Sequence, residues 1–177
     1  MMAAMSIHII IDGYNLIRQS RYLSNLDLQD IQFGRQALVD MLAEYKKMKA
    51  HRITVVFDGT RAPQFSQQRD QQKGISLIFS HNGESADAVI KKMADREKQQ
   101  ALVVSSDQDI VRSAASSGAA TISALDFESK LTMAAGMAGT EPNRDDHNGW
   151  KPTTKKKGPS KRLPKRQRQN RAKTSKL

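Results

Sequence analysis

An α/β domain with a mainly parallel sheet is the fold this sequence predicts, and three observations carry the prediction. Short β-branched hydrophobic runs alternate with longer segments of helical periodicity. Parallel strands need crossover connections, which those helical segments supply. Four of the runs also end in, or lead directly into, an aspartate: Ile11-Asp12, Phe57-Asp58, Ile75–Ser80 followed by Glu84-Ser85-Ala86-Asp87, and Val103-Val104-Ser105-Ser106-Asp107. In such a sheet the carboxyl ends of the strands share one rim, where ligands bind near the switch in strand order. The acids are therefore expected to converge.

Ser6–Ile11 is the first expected strand. Residues 16–31 read as a short helix and an irregular connection. A helix from about Gln32 to Lys49 follows, with Leu38, Met41, Leu42, Tyr45 and Met48 at three- and four-residue steps. This stripe reads as core packing. Arg52–Phe57 is the second strand. The polar stretch from Gly59 to Gly74 has too few apolar residues to bury and is expected to be a surface loop. Ile75–Phe79 is the third strand, punctuated by Asn82-Gly83. A helix then runs to about Gln99 with Ala86, Val89, Ile90, Met93 and Ala94 inward. Leu102–Ser105 is the fourth strand and Asp109–Ser117 a small-residue helix closed by Gly118. Ala120–Ser123 suits a fifth strand, and Phe127–Met137 a last helix.

At 177 residues the chain supports one domain over 6–138 and a tail over 139–177. The net charge of +11 is unevenly placed: residues 151–177 hold 12 Lys/Arg and no acid, which leaves the first 150 residues at −1. Two leucines and no aromatic after Trp150 give the tail little to bury, so it is expected to be disordered. Cysteine is absent, which removes disulfides, thiolate metal sites and a cysteine nucleophile, and fits a cytoplasmic setting. The first residues lack the basic start and long apolar stretch of a signal peptide, and no run is long enough to span a membrane.

Each acid has an ordinary role open to it. Asp12-Gly13 and Asp58-Gly59 are turn dipeptides, Asp107 suits a helix N-cap, and Asp87 lies where a helix dipole favours an anion. Gathered on one rim, however, like charges repel unless a cation or substrate compensates them. Asp12, Asp87 and Asp107 are the expected metal ligands, with Asp58 as a further catalytic acid and Glu84, Asp109 and Asn15 in support. Glu84 and Asp87 share a helix face if the helix begins near Asn82. All-oxygen coordination favours Mg²⁺ or Mn²⁺. The four histidines, His8, His51, His81 and His147, are scattered, and only His81 lies near the acids, so zinc and two-histidine chemistry are set aside. No GxxxxGK[ST] phosphate loop is present. Phe57-Asp58-Gly59-Thr60 is similar to the end of a haloacid-dehalogenase-type motif, but Val56 stands where that chemistry needs its nucleophilic aspartate.

Ile-Ile-Asp-Gly-Tyr-Asn-Leu-Ile at 10–17, Val-Val-Phe-Asp at 55–58, Glu-Ser-Ala-Asp at 84–87 and Ser-Ser-Asp at 105–107 together resemble the YacP-like branch of the NYN domains, relatives of the PIN nucleases. The resemblance covers residues 6–138. It implies a PIN-like three-layer α/β/α fold and a divalent-metal-dependent endoribonuclease acting on mRNA or rRNA, with the ribosome as a candidate partner. It puts Asp12, Asp58, Asp87 and Asp107 on the family's acidic positions and Asn15 on its characteristic asparagine. The nearly neutral core must then draw RNA through other residues. Arg61, Arg69 and Lys73 are expected to clamp its backbone near the site. Lys155, Lys156, Lys157, Lys161, Arg162, Lys165, Arg166, Arg168 and Arg171 supply salt-sensitive, sequence-independent affinity from the tail. A non-catalytic RNA-binding or ribosome-associated protein on the same scaffold is the alternative. The oligomeric state is not readable from the sequence.

Overall fold

The computed structural model of the chain describes residues 6–59, 69–81, 83–138 and 164–177. In chain order its elements are β1 (His8–Asp12), α1 (Gly13–Gln19), α2 (Arg21–Gln29), α3 (Ile31–Met48), β2 (Arg52–Phe57), β3 (Arg69–Gln72) and β4 (Ile75–Phe79). Then come α4 (Ala86–Glu97), β5 (Ala101–Val104), α5 (Gln108–Ser116), β6 (Ala120–Ile122), α6 (Ala124–Ala138) and α7 (Lys165–Thr174). The six strands form one sheet in the order β3-β4-β2-β1-β5-β6, parallel except for the β3–β4 pair. Among the described residues no helix is long and apolar enough to cross a membrane.

Period-two alternation within the strands divides the apolar residues between two cores. Ile9, Ile11, Val55, Phe57, Leu102 and Val104 face α1, α2, α3 and α6, while Ile10, Val56 and Val103 face α4 and α5. With both faces covered, the inner strands read as continuous hydrophobic runs, which is why they are visible in the sequence. The result is the expected three-layer α/β/α arrangement. Short polar side chains set the helix boundaries on the first face. Ser20 separates α1 from α2 and accepts from the Leu23 amide at 3.2 Å, and Asp30 caps α3 through the Gln32 amide at 2.7 Å. The buried stripe of α3 is Leu38, Val39, Leu42 and Tyr45, whereas Met48 is exposed. On the second face, His8 ties the start of β1 to the end of α4 through Glu97, with Arg52 beside both. Burial holds His8 below its ordinary pKa, against the pull of Glu97.

Two expectations are corrected here. The stretch from Gly59 to Gly74 is not all loop, because Arg69–Gln72 forms the antiparallel edge strand β3. An edge strand gains its place through backbone pairing and needs little apolar burial. The turn to β4 is a two-residue connection, Lys73-Gly74, with both residues in the left-handed region (φ 51° and 77°), the conformation that matches strand twist in a tight hairpin. The second correction concerns the tail. Its last fourteen residues are ordered, with α7 packed against β6.

The side-chain amide of Asn170 accepts from the Thr121 amide at 2.7 Å and donates to the Thr121 carbonyl at 3.1 Å. Past the helix, the Tyr45 hydroxyl and the Lys49 ammonium donate to the carbonyls of Leu177 and Lys176, both at 3.2 Å, and the Leu177 side chain is buried. Hydrogen bonds and one buried leucine, rather than an apolar helix face, hold this segment. A hydropathy reading therefore passes over it.

Deleting residues 164–177 should lower stability by about 1–3 kcal/mol, since Tyr45 and Thr121 lose their partners and Leu177 its burial. Urea unfolding of the full and truncated chains measures this. Coincident curves would mean that the segment contributes no stability.

Candidate functional site

The chain runs outward from β1 to β2 and β4, then returns to the far side of β1 with β5 and β6. Strand order therefore reverses between β1 and β5, and the crevice beyond their carboxyl ends is the favoured ligand position of an open parallel sheet. Asp12 is the last residue of β1 and is only 8% exposed. The first residues after β5 fix its surroundings. The Ser105 hydroxyl donates to Asp12 Oδ2 at 3.1 Å and accepts from the Asp107 amide, also at 3.1 Å. Asn15, in the first turn of α1, accepts from the Ser106 amide through Oδ1 at 2.9 Å. The Ser106 hydroxyl in turn accepts from the Ala124 amide at 3.1 Å. Short polar side chains thus lock three chain segments around one buried carboxylate.

Two more acids act on it through space. Asp107 caps α5, its Oδ1 accepting from the Asp109 amide at 2.8 Å. Asp87 lies in the first turn of α4, which is capped by Ser85. Burial above all, with added repulsion from Asp87 and Asp107, pushes the Asp12 carboxyl up to about 6, against hydrogen bonds from the Ser105 hydroxyl and the Asn15 backbone N–H. Asp87 is raised as well, by burial first and then by the Asp107 charge. The structure therefore brings Asp12, Asp87, Asp107 and Asn15 into one electrostatic unit. Among the described residues, no three metal-binding side chains stand close enough together to hold an ion directly.

The other acids have different surroundings. Asp58 is half-buried just past β2, beside the strand that carries Asp12. Gly59 follows it, with its amide on the Ser80 hydroxyl at 3.0 Å, and a Cβ there would lie 1.9 Å from the Ser80 carbonyl oxygen. The Asp-Gly pair is therefore also a tight closure of the β2–β4 rim. Glu84 precedes the cap of α4 instead of sharing its face with Asp87, and it is ion-paired with Lys92. Asp109 is ion-paired with Lys91, whose ammonium also feels Asp87 and Asp107 and is held above its ordinary pKa, chiefly by Asp109.

The basic residues are dispersed. Arg69 lies opposite Ile78, near the carboxyl end of β4. Lys73 sits at the other end of the hairpin, ion-paired with Asp40, and so lies away from the acids it was expected to flank. Lys165, Arg166, Arg168 and Arg171 lie exposed on α7. Arg61, Lys155, Lys156, Lys157, Lys161 and Arg162 fall outside the described residues. Sequence reasoning did not pick out Ser105, Ser106 or Lys91. Lys91 had a readable signal, because it stands four residues after Asp87 and returns to the same helix face. The serines had none beyond their place after a strand.

A family model described as the YacP-like NYN domain matches residues 9–175, a span that includes the whole of α7. The uncharacterized protein YacP of Bacillus subtilis strain 168 is 29% identical over 86 residues, covering 49% of this chain and 50% of that protein. The match thus spans about half the length of that relative. The fold is similar to crystal structures of Rae1 (YacP) from Bacillus subtilis. A mutant form gives a TM-score of 0.62 at 24% identity over 74% of this chain and 78% of the other. A second structure gives 0.60 at 25% identity over 73% and 76%.

The raised pKa of Asp12 has a consequence for stability. The folded chain keeps this proton up to about pH 6, whereas an unfolded aspartate releases it near 3.8. Between those values the folded state binds more protons, so stability falls as pH rises, by about 3 kcal/mol in all. Asp12→Asn should remove that fall and raise stability at neutral pH by about 1–3 kcal/mol. Urea unfolding in chelator at several pH values between 4 and 7.5 measures it. A wild-type slope in the variant would show that Asp12 ionises at its ordinary value.

Proposed function

This chain belongs to the YacP-like NYN domain family, a PIN-like nuclease family, and on that premise we propose that it is a divalent-metal-dependent endoribonuclease. Its substrate is RNA, and the bond hydrolysed is a backbone phosphodiester. The observation that carries the reading is the coupling of Asp12, Asp87 and Asp107 at the strand-order switch. Asp12 there is held at about 6 by burial and by its neighbours' charge. A chain that needed only turns and caps has no use for a carboxylate placed where its own ionisation is opposed. A bound cation would relieve that opposition.

The donor set suits Mg²⁺ or Mn²⁺, being all oxygen and partly open to water. Mg²⁺ in particular keeps several waters and takes one or two carboxylates, which accords with three acids that do not close on a point. Bound there, such an ion would supply an activated water and neutralise charge on the scissile phosphate. The chain's own part is positional. Ser105 fixes the Asp12 carboxylate by a hydrogen bond, and capping of α5 fixes Asp107. Asp87 completes the expected ligand set from the first turn of α4. Asn15 commits its Oδ1 to the Ser106 amide, so its Nδ2 group is the donor that would meet a phosphate oxygen. Asp58, one strand over, is assigned as an outer acid of the same rim. Lys91 draws Asp109 aside, and Lys92 does the same to Glu84, which leaves both in supporting positions. The ribosome as a partner rests on the resemblance alone.

One observation favours a second reading. Among the described residues no three metal-binding side chains stand close enough to hold an ion, which would also suit a scaffold that binds RNA through its basic residues without cutting it.

Incubating the wild-type chain with total cellular RNA in Mg²⁺ or Mn²⁺ separates the two readings. Cleavage that chelator abolishes, and that Asp12→Asn and Asp87→Asn each reduce by about 100-fold or more, is the expected result. Binding without cleavage would favour the second reading. Wild-type rates in both variants would remove the acidic rim from the mechanism.

A further inference from the structure

The docked C-terminal segment carries a feature that its packing does not require. Residues 164–177 contain six Lys/Arg and no Asp or Glu. Among the described residues, none of the six takes part in an ion pair, and no side chain of α7 itself is buried. The segment is fastened by the Asn170 amide, the Lys176 carbonyl and Leu177, and its cations are left to the surface. A helix that is polar all round gains little from propensity or from an apolar face.

Between α7 and the carboxyl rim of β5 and β6 lies an open cleft of about 700 Å³, lined among others by Ser106, Gln108, Ser123, Lys130, Arg171 and Thr174. Ser106 is bonded to Asn15 and adjoins Asp107, so the cleft opens directly beside the acidic crevice. Among the described residues its one acid is Asp126, which is engaged by the Ser123 hydroxyl at 2.8 Å. What remains is two cations on facing elements, α6 and α7, among hydroxyl and amide groups. Among the described residues no aromatic side chain lines the cleft. Such a surface suits backbone phosphates and gives no platform for stacking bases.

We propose that the cleft between α7 and the β5–β6 rim seats the RNA segment flanking the scissile phosphodiester, with Lys130 and Arg171 on its phosphates. The inference rests on the ribonuclease reading and adds a direction to it: the strand leaves the acidic crevice past Ser106 toward α7. Recognition along this path is indifferent to base identity. The docked segment 164–177 is then a wall of the substrate channel rather than a free tether.

The test uses the full chain in the Asp12→Asn background, with labelled single-stranded RNAs of about 12 nucleotides and two unrelated sequences. Affinity is measured across a salt series. Joint substitution Lys130→Gln and Arg171→Gln should weaken low-salt binding of both RNAs about tenfold. It should also reduce the slope of log K against log salt by about 1.4, or roughly 0.7 for each phosphate no longer neutralised. Arg171→Lys should keep the slope, and unchanged thermal midpoints would show that the variants are folded. An unchanged slope and affinity in the folded double variant would overturn the proposal. Wild-type protein is assayed for RNA cleavage in parallel. If it cuts nothing, the ribonuclease reading fails; if it cuts and the double variant binds normally, only the path does.

Discussion

Asp12 ends one of the two central strands of the sheet with its carboxylate almost out of reach of water, and the architecture around it follows from keeping it there. A buried carboxylate needs donors, which the Ser105 hydroxyl and the Asn15 backbone N–H supply. Those donors exist at the right place only because β5 lies beside β1 and α1 begins at the very end of β1. Asp87 and Asp107 are brought up on the first turns of two helices, where they oppose its ionisation. Lys91 tempers the group without reaching hydrogen-bond contact with Asp12, since it is spent on Asp109. The crevice is thus poised by geometry. Its charge is imperfectly compensated within the described residues, which is the condition under which an added cation or a changed pH has most effect.

The parts of this structure that were legible in the sequence are those in which burial and local pattern agree. β1, β2, β4 and β5 are hydrophobic because both faces of the sheet are covered, and α3 and α4 show their inner stripes plainly. The acids at strand ends were legible for the same reason, because a parallel sheet makes their positions predictable once its strands are known. β3 escaped because an edge strand of Arg, Asp and Gln makes its contribution through backbone pairing, to which hydropathy is blind. α7 escaped because its docking depends on one amide and two carbonyls far apart in sequence from Thr121, Tyr45 and Lys49. Lys73 and Glu84 were misplaced for a related reason. Nearness in sequence to the acids did not indicate which end of a hairpin, or which side of a helix cap, each would occupy.

Charge is divided along the chain, yet the division is not one between a folded core and a loose appendage. The first 150 residues are nearly neutral, and the cations that would attract a polyanion gather toward the end. Six of those cations lie on a segment attached to the sheet itself, and one of them, Arg171, lines the cleft beside the rim where the acids meet. Opposite charges are thus kept apart at short range by fold rather than by distance along the chain. Phosphate-binding and cation-binding surfaces must lie side by side without cancelling one another. Fixing the basic residues on a docked helix prevents them from collapsing onto the carboxylates.

The Asn170 amide has a further consequence, at the level of the molecule among its neighbours. β6 has only three residues, and it ends the sheet on that side. A terminal strand offers unpaired amide and carbonyl groups that another chain's strand can join. By meeting both backbone groups of Thr121, the Asn170 side chain takes the place of a single residue of a seventh strand, and α7 covers the opening behind it. The side chain thereby obstructs edge-on growth by other chains on this side of the sheet.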